Sequence, residues 1–249
     1  MSKAEWLYGI HTVSAVLKKH PDRVLEMKVQ EGRDERRLDE VLKRAQQLGV
    51  SVQYVNKKSM DHQFQDANHQ GLAARCRLSS ALDDHGLLNL LDRIEGPPFL
   101  LILDSVTDPH NLGAVLRSAD AAGVHAVITT RDKSVGLTPV VRRVAVGAAE
   151  VMPFAQVTNL ARLMKQLQER RIWIVGTELD ETAKNLYQAD LKGPLAIVMG
   201  AEGPGLRRLT REHCDQLVYI PMQGDVQSLN VSVAAGVCLF EALRQRSSL

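Results

Sequence analysis

Apolar residues recur along this chain in two rhythms. From residue 99 onward, short unbroken apolar runs stand at 99–103, 126–129, 172–176, 195–199 and 217–221. A strand with one wet face alternates, so unbroken runs predict strands buried on both faces. Between them, 111–122, 138–148, 160–170, 206–215 and 230–246 carry apolar residues at helical spacing. Strands alternating with helices predict a mainly parallel sheet covered on both faces. In such sheets, ligands bind beyond the carboxyl ends of the strands. Before residue 78 the rhythm is mixed. A short helix is predicted at 13–19 and a half-buried strand at 24–29. An amphipathic helix follows at 38–48, with apolar positions 38, 41, 42, 45 and 48 and Gly49 ending it, and then a strand at 50–55. This is the pattern of a small, compact α/β unit.

The segment LSSALDDHGLLNLLDRIEGPP, 78–98, separates the two rhythms. It closes with Gly96, Pro97 and Pro98, which cannot continue a helix. The expected organisation is a small domain at 1–77, a linker at 78–98 with a short helix at 87–94 inside it, and a larger domain at 99–249. No apolar run approaches the ~20 residues of a membrane-spanning helix. Glu5 and His11 interrupt the first residues before a signal-like core could form. A cytoplasmic location is therefore expected.

Composition narrows the class without naming it. The chain has 249 residues, 45% hydrophobic and 24% charged, with 9 prolines, which excludes disordered, collagen-like and coiled-coil chains. Its net charge of +2 is unevenly spread. Residues 1–77 hold 14 Lys and Arg against 10 Asp and Glu, whereas 78–98 hold one Arg against four acids. The mild basic bias suits a phosphate-bearing partner and equally an ordinary solvated surface. Cys76, Cys214 and Cys238 are too scattered for a disulfide framework or a metal knuckle. The eight histidines show no HExxH and no ligand spacing with cysteine. Aromatics, at 4%, are too sparse for a base-stacking platform.

Three segments carry candidate chemistry. In DPHNLGAVLRSADAAGV, Asp108 caps a helix and Pro109 suits its first position. Arg117 lies nearly opposite the apolar stripe. It is either a solvated charge or, with Asn111, a ligand for phosphate or ribose, which the guanidinium fork suits. In IVMGAEGPGL, glycines 200, 203 and 205 follow a buried strand, and Glu202 sits among them. This is neither the dinucleotide fingerprint, because Arg208 stands where a third glycine belongs, nor a phosphate-cradling loop, because no GxxxxGK[ST] occurs. It is either a plain turn or a close backbone approach to a ligand. In IPMQGDVQSLNVSVAAGVCLFE, Ser228 or Asn230 caps a helix in which only Ser232 is polar from residue 231 to 240. Such a helix is either central in a monomer or covered by a second subunit.

Together the three segments resemble the SpoU/TrmH branch of the SPOUT methyltransferases, which methylate the ribose 2′-oxygen of RNA. Order, spacing and residue types agree across 99–246, and YGIHTVSAVL looks like the start of the small RNA-binding domain of the branch's ribosomal-RNA enzymes. The resemblance implies a catalytic α/β domain with a trefoil knot, preceded by an RNA-binding α/β domain. It implies S-adenosylmethionine held largely by backbone near Gly176, Gly200, Ile220 and Leu229. Asn111, Arg117, Glu202, Ser228 and Asn230 fall on the family's active-site positions. A homodimer acting on a guanosine of 23S ribosomal RNA, in the peptidyl-transferase loop, without a metal, is the implied assembly and reaction. A transfer-RNA ribose methyltransferase and a non-catalytic RNA-binding assembly factor are the alternatives.

Overall fold

The computed structural model describes residues 4–32, 36–65, 68–201, 203–226 and 228–247. In chain order the elements are β1 (Ala4–Tyr8), α1 (Ile10–Lys19), β2 (Val24–Gln30), α2 (Arg36–Gln47), β3 (Val52–Val55), α3 (Lys57–Gln63), β4 (Leu72–Arg77) and α4 (Asp84–Leu91). Then come β5 (Phe99–Leu103), α5 (Pro109–Ala121), β6 (Ala126–Thr130), α6 (Pro139–Ala145), α7 (Ala148–Val151), β7 (Phe154–Val157), α8 (Leu160–Glu169) and β8 (Trp173–Thr177). The chain closes with β9 (Lys184–Asn185), β10 (Leu195–Met199), α9 (Arg208–Glu212), β11 (Gln216–Tyr219) and α10 (Val231–Arg246). The chain divides into two compact units, Met1–Ser80 with Val146–Val151, and Ala81–Ala145 with Met152–Leu249.

The first unit is built on a four-stranded sheet ordered β1-β4-β2-β3, parallel only between β2 and β3. Alternation gives each sheet face its own core. Met27, Val29, Leu72, Ala74 and Cys76 meet α1 and α2 on one face. Trp6, Tyr8 and Ala73 meet Met60 and Phe64 on the other. The expected single helix over 138–148 does not form. Val146 (φ 48°) and Gly147 (φ 90°) turn left-handed, so α6 ends and α7 joins the first unit. A Cβ on Gly147 would stand 2.9 Å from the Thr12 Cα, which is why glycine occupies the turn. Glu150 holds this excursion in place by accepting from the Ser79 amide at 2.9 Å.

The second unit carries a seven-stranded sheet ordered β7-β6-β5-β10-β8-β11-β9, with every pairing parallel. The unbroken apolar runs are buried on both faces, as a parallel sheet requires. On one face Leu100, Ile102, Ile174, Ala196 and Val198 pack with Leu160, Leu163, Met164 and Leu167 of α8. The stretch expected as a linker contributes to this core. Leu87 and Leu91 of α4 are buried in it, and Leu82 pairs with Ala155. Asp83 caps α4 by accepting from the Gly86 amide at 2.8 Å, which starts the helix three residues before the expected position. The helix expected at 206–215 shortens to α9, because Thr210 and Arg211 carbonyls close it at His213. α10 packs on α5 and β10. It is not covered on every side: Val233 and Phe240 are about half exposed, at 52% and 49%.

Candidate active site

In a sheet whose pairings are all parallel, every strand's carboxyl end lies along one edge. The order β7-β6-β5 winds outward on one side, and the chain then crosses to β8 on the other, with β10 between β5 and β8. That reversal is a topological switch point, the place in an open parallel sheet where a ligand-binding crevice is expected. The loops that start at Asp104, Glu178, Gly200 and Ile220 leave β5, β8, β10 and β11 at this edge.

Gly176 lies in β8, and Gly200 and Ile220 follow the last residues of its two neighbours, β10 and β11. Gly176 is registered against Val198 on one side and Leu217 on the other. At about 4.8 Å between strands, the three positions span roughly 10 Å of backbone. Gly200 is forced by geometry. A Cβ there would lie 2.3 Å from the Gly205 carbonyl carbon, because Ala201 and Gly205 exchange backbone hydrogen bonds of 3.2 and 3.0 Å. Gly203 (φ 86°) and Gly205 (φ 69°) complete the reversal in the left-handed region. Gly176 has a plainer reason. Its missing side chain leaves room for Cys214 Sγ, Leu206 and Leu217, which a Cβ would approach to 2.6, 2.9 and 3.0 Å. Burial pushes the Cys214 thiol up to about 12, so it is an inert filler at neutral pH.

On the other side of the crevice, Asp108 caps α5 by accepting from the His110 amide at 2.8 Å, with Pro109 following as expected. Asn111 is 8% exposed on the first turn. Its Oδ1 accepts from Asn230 Nδ2 at 2.9 Å, across 119 residues of sequence. Asn230 caps α10 with its own Oδ1, which accepts from the Ser232 amide at 2.9 Å and the Ser232 hydroxyl at 2.6 Å. Two expected site residues are thus tied directly together. Arg117 is exposed on α5 and makes no hydrogen bond or ion pair among the described residues. Ser228 is exposed and Leu229 half-buried on the approach to α10, and neither is bonded to the asparagine pair. Glu202 lies outside the described residues.

Sequence reasoning missed the charged groups that brace the strand ends. Asp104 is fully buried and holds Arg207. Glu178 Oε2 stands 3.3 Å from Arg211 Nε, and Arg211 also pairs with Asp180. The Thr182 hydroxyl and amide, then Arg211, hold the Asp180 carboxyl below its ordinary value. The available signal was an acid standing immediately after the all-apolar strand 99–103. Among the described residues, no group of three or more His, Cys, Asp or Glu is placed to hold a metal ion.

This crevice, with the sheet beneath it, lies inside the stretch 98–240 that matches the SpoU rRNA methylase family, and the chain belongs to that family. Residues 6–81 match the RNA 2′-O ribose methyltransferase substrate-binding domain. Among curated relatives, the 23S rRNA (guanosine-2′-O-)-methyltransferase RlmB of Shewanella oneidensis is 56% identical over 248 residues, covering 100% of both chains. Its namesake in Pectobacterium atrosepticum is 57% identical over 245 residues, 98% of this chain and 99% of that one. The fold is also that of the SpoU methyltransferase AviRb of Streptomyces viridochromogenes, solved with S-adenosylmethionine. The TM-score is 0.75 at 23% identity, over 99% of this chain and 92% of that one.

Proposed function

We propose that this chain methylates the ribose 2′-oxygen of a guanosine in 23S ribosomal RNA, in the peptidyl-transferase loop, with S-adenosylmethionine as donor. The observation that carries the reading is the direct pairing of Asn111 with Asn230, which joins the start of α5, after β5, to the start of α10, after β11. Full-length similarity to enzymes named for that activity supports the choice of RNA, as does the substrate-binding match at 6–81. On this reading 1–77 is the RNA-binding domain and 99–249 the catalytic one.

The residues present fit the donor. The 200–205 turn brings bare backbone to the end of β10, where any side chain on Gly200 would collide, and on this reading Gly176, Ile220 and Leu229 complete the donor's surroundings. S-adenosylmethionine supplies a methyl group already activated on a sulfonium, so no metal is called for. The protein must then hold the ribose oxygen in line with that methyl, near ~3 Å. A guanidinium is a poor base, so Arg117 clamps phosphate and ribose, while the hydroxyl proton departs late to a neighbouring group or water. Asn111 and Asn230 fix the start of α5 against the start of α10. Glu202 and Ser228 order the nucleotide and the loop around it.

The half-exposed Val233 and Phe240, two helical turns apart on α10, support a homodimer in which a second copy covers them. The insertion of β10 between β5 and β8 supports a knotted path for the C-terminal segment. Among the described residues no helix is long and apolar enough to cross a membrane. Mapping of 2′-O-methylation on 23S and transfer RNA, with and without the protein, tests the function. A single new guanosine mark in 23S RNA is expected. A mark confined to transfer RNA, or none, overturns the reading.

A further inference from the structure

Asp104 is a carboxylate with no contact to solvent at the carboxyl end of β5. Its Oδ1 accepts from Arg207 Nε at 2.5 Å and from the Ser105 hydroxyl at 3.2 Å. Its Oδ2 accepts from the Arg207 backbone N–H at 3.0 Å. A buried carboxylate is costly unless it is both paired and fully hydrogen-bonded, and here one residue engages both oxygens. Ser105, next in the chain, sits at φ 67°, a conformation that persists only where its surroundings over-determine it.

The positions of the two partners matter as much as their bond. Asp104 opens the loop that leads to α5 and so to Asn111 and Arg117. Arg207 is the N-cap of α9 and follows the 200–205 turn closely. The Asp104 amide also donates to the Met199 carbonyl at 2.8 Å, where the Gly200 turn begins. The turn is therefore held to the β5 loop at its entrance by a backbone bond and at its exit by an ion pair.

We infer that the Asp104–Arg207 pair is a positioning device that sets the spacing between the Gly200 turn and the start of α5. The inference rests on the reading of that turn as the S-adenosylmethionine cradle. Neither residue needs to touch donor or ribose, because each acts through the loop it holds. The grip combines a backbone N–H with the Nε of a planar guanidinium. A lysine at 207 keeps the first bond and a charge but not the fixed geometry of the second.

The test uses the full chain as wild type, Asp104→Asn, Arg207→Lys and Arg207→Ala. It measures S-adenosylmethionine affinity by calorimetry, and KM for each substrate with kcat in methyl transfer to 23S RNA. The expected result is a tenfold or greater loss of S-adenosylmethionine affinity in Arg207→Ala and Asp104→Asn. KM for RNA stays within twofold, and Arg207→Lys recovers part of the loss. If Asp104→Asn does not fold, the graded pair at Arg207 still decides. Unchanged S-adenosylmethionine affinity in folded Arg207→Ala overturns the inference, as does an equal rise in both KM values, which marks general loosening. A wild type that binds no S-adenosylmethionine overturns the cradle reading itself, and the inference with it.

Discussion

The loops after β10 and β11 leave the same sheet edge from strands separated only by β8, yet they are made in opposite ways. The described residues of 200–207 are fixed three times over, by the Ala201–Gly205 backbone pair, by two left-handed glycines, and by the grip of Asp104 on Arg207. Residues 221–226 make no hydrogen bond among the described residues, and Gln223 through Val226 are exposed. The second loop is tied down at Asn230, through α10 and Asn111. One wall is thus shaped by its own contacts, whereas residues 221–226 of the other carry no hydrogen bonds among the described residues. A preorganised wall gains affinity by avoiding ordering costs at the moment of binding.

Substitutions at glycines test this contrast most strongly. Gly200→Ala puts a methyl group 2.3 Å from the Gly205 carbonyl carbon, against backbone that cannot swing aside. A loss of about 3 kcal/mol is expected in denaturant unfolding, the upper range for overpacking a tight site, together with lost S-adenosylmethionine binding. Asn230→Ala removes the α10 cap and the bond to Asn111. It should cost about 1 kcal/mol, as cap losses do, and lower kcat more than it raises KM for S-adenosylmethionine. Gly224→Ala in the open loop meets nothing within 4 Å. Its stability should stay within about 0.5 kcal/mol of wild type, and a larger loss would show that the second loop is also built.

The smallest effect is in acid. Thr182, and then Arg211, hold Asp180 below its ordinary value of 3.8 in the folded chain. A carboxyl with a depressed folded value stabilises above its unfolded pKa, and that contribution is lost as pH falls through the folded one. Below pH 3.8, amide exchange at 180–183, corrected for its intrinsic rate, should quicken. Exchange at 221–226 should not change.

Much of this frame could be read from sequence, because burial on both faces leaves unbroken apolar runs, and these marked five of the seven strands of the large sheet. β7 and β9 escaped, one carrying Gln156 in a four-residue strand and the other only two residues long. β4 was hidden by Arg75 and Arg77, whose side chains stand on an exposed face. The 146–151 excursion was invisible because helical periodicity runs through Val146, and only its left-handed backbone breaks it. At the site, the motifs marked Asn111 and Asn230, but no local pattern could show that they bond to each other. The burial of Asp104 depends on a partner 103 residues away.

The central claim is that the strand-end loops hold the methyl donor while Arg117 serves the RNA alone. Titration of S-adenosylmethionine into wild-type and Arg117→Ala protein by calorimetry separates these roles. Equal dissociation constants, in a variant that no longer transfers methyl groups, are the expected result. Affinity that disappears together with Arg117 would mean that the guanidinium belongs to the donor's own pocket, and the proposed division between the two walls would be wrong.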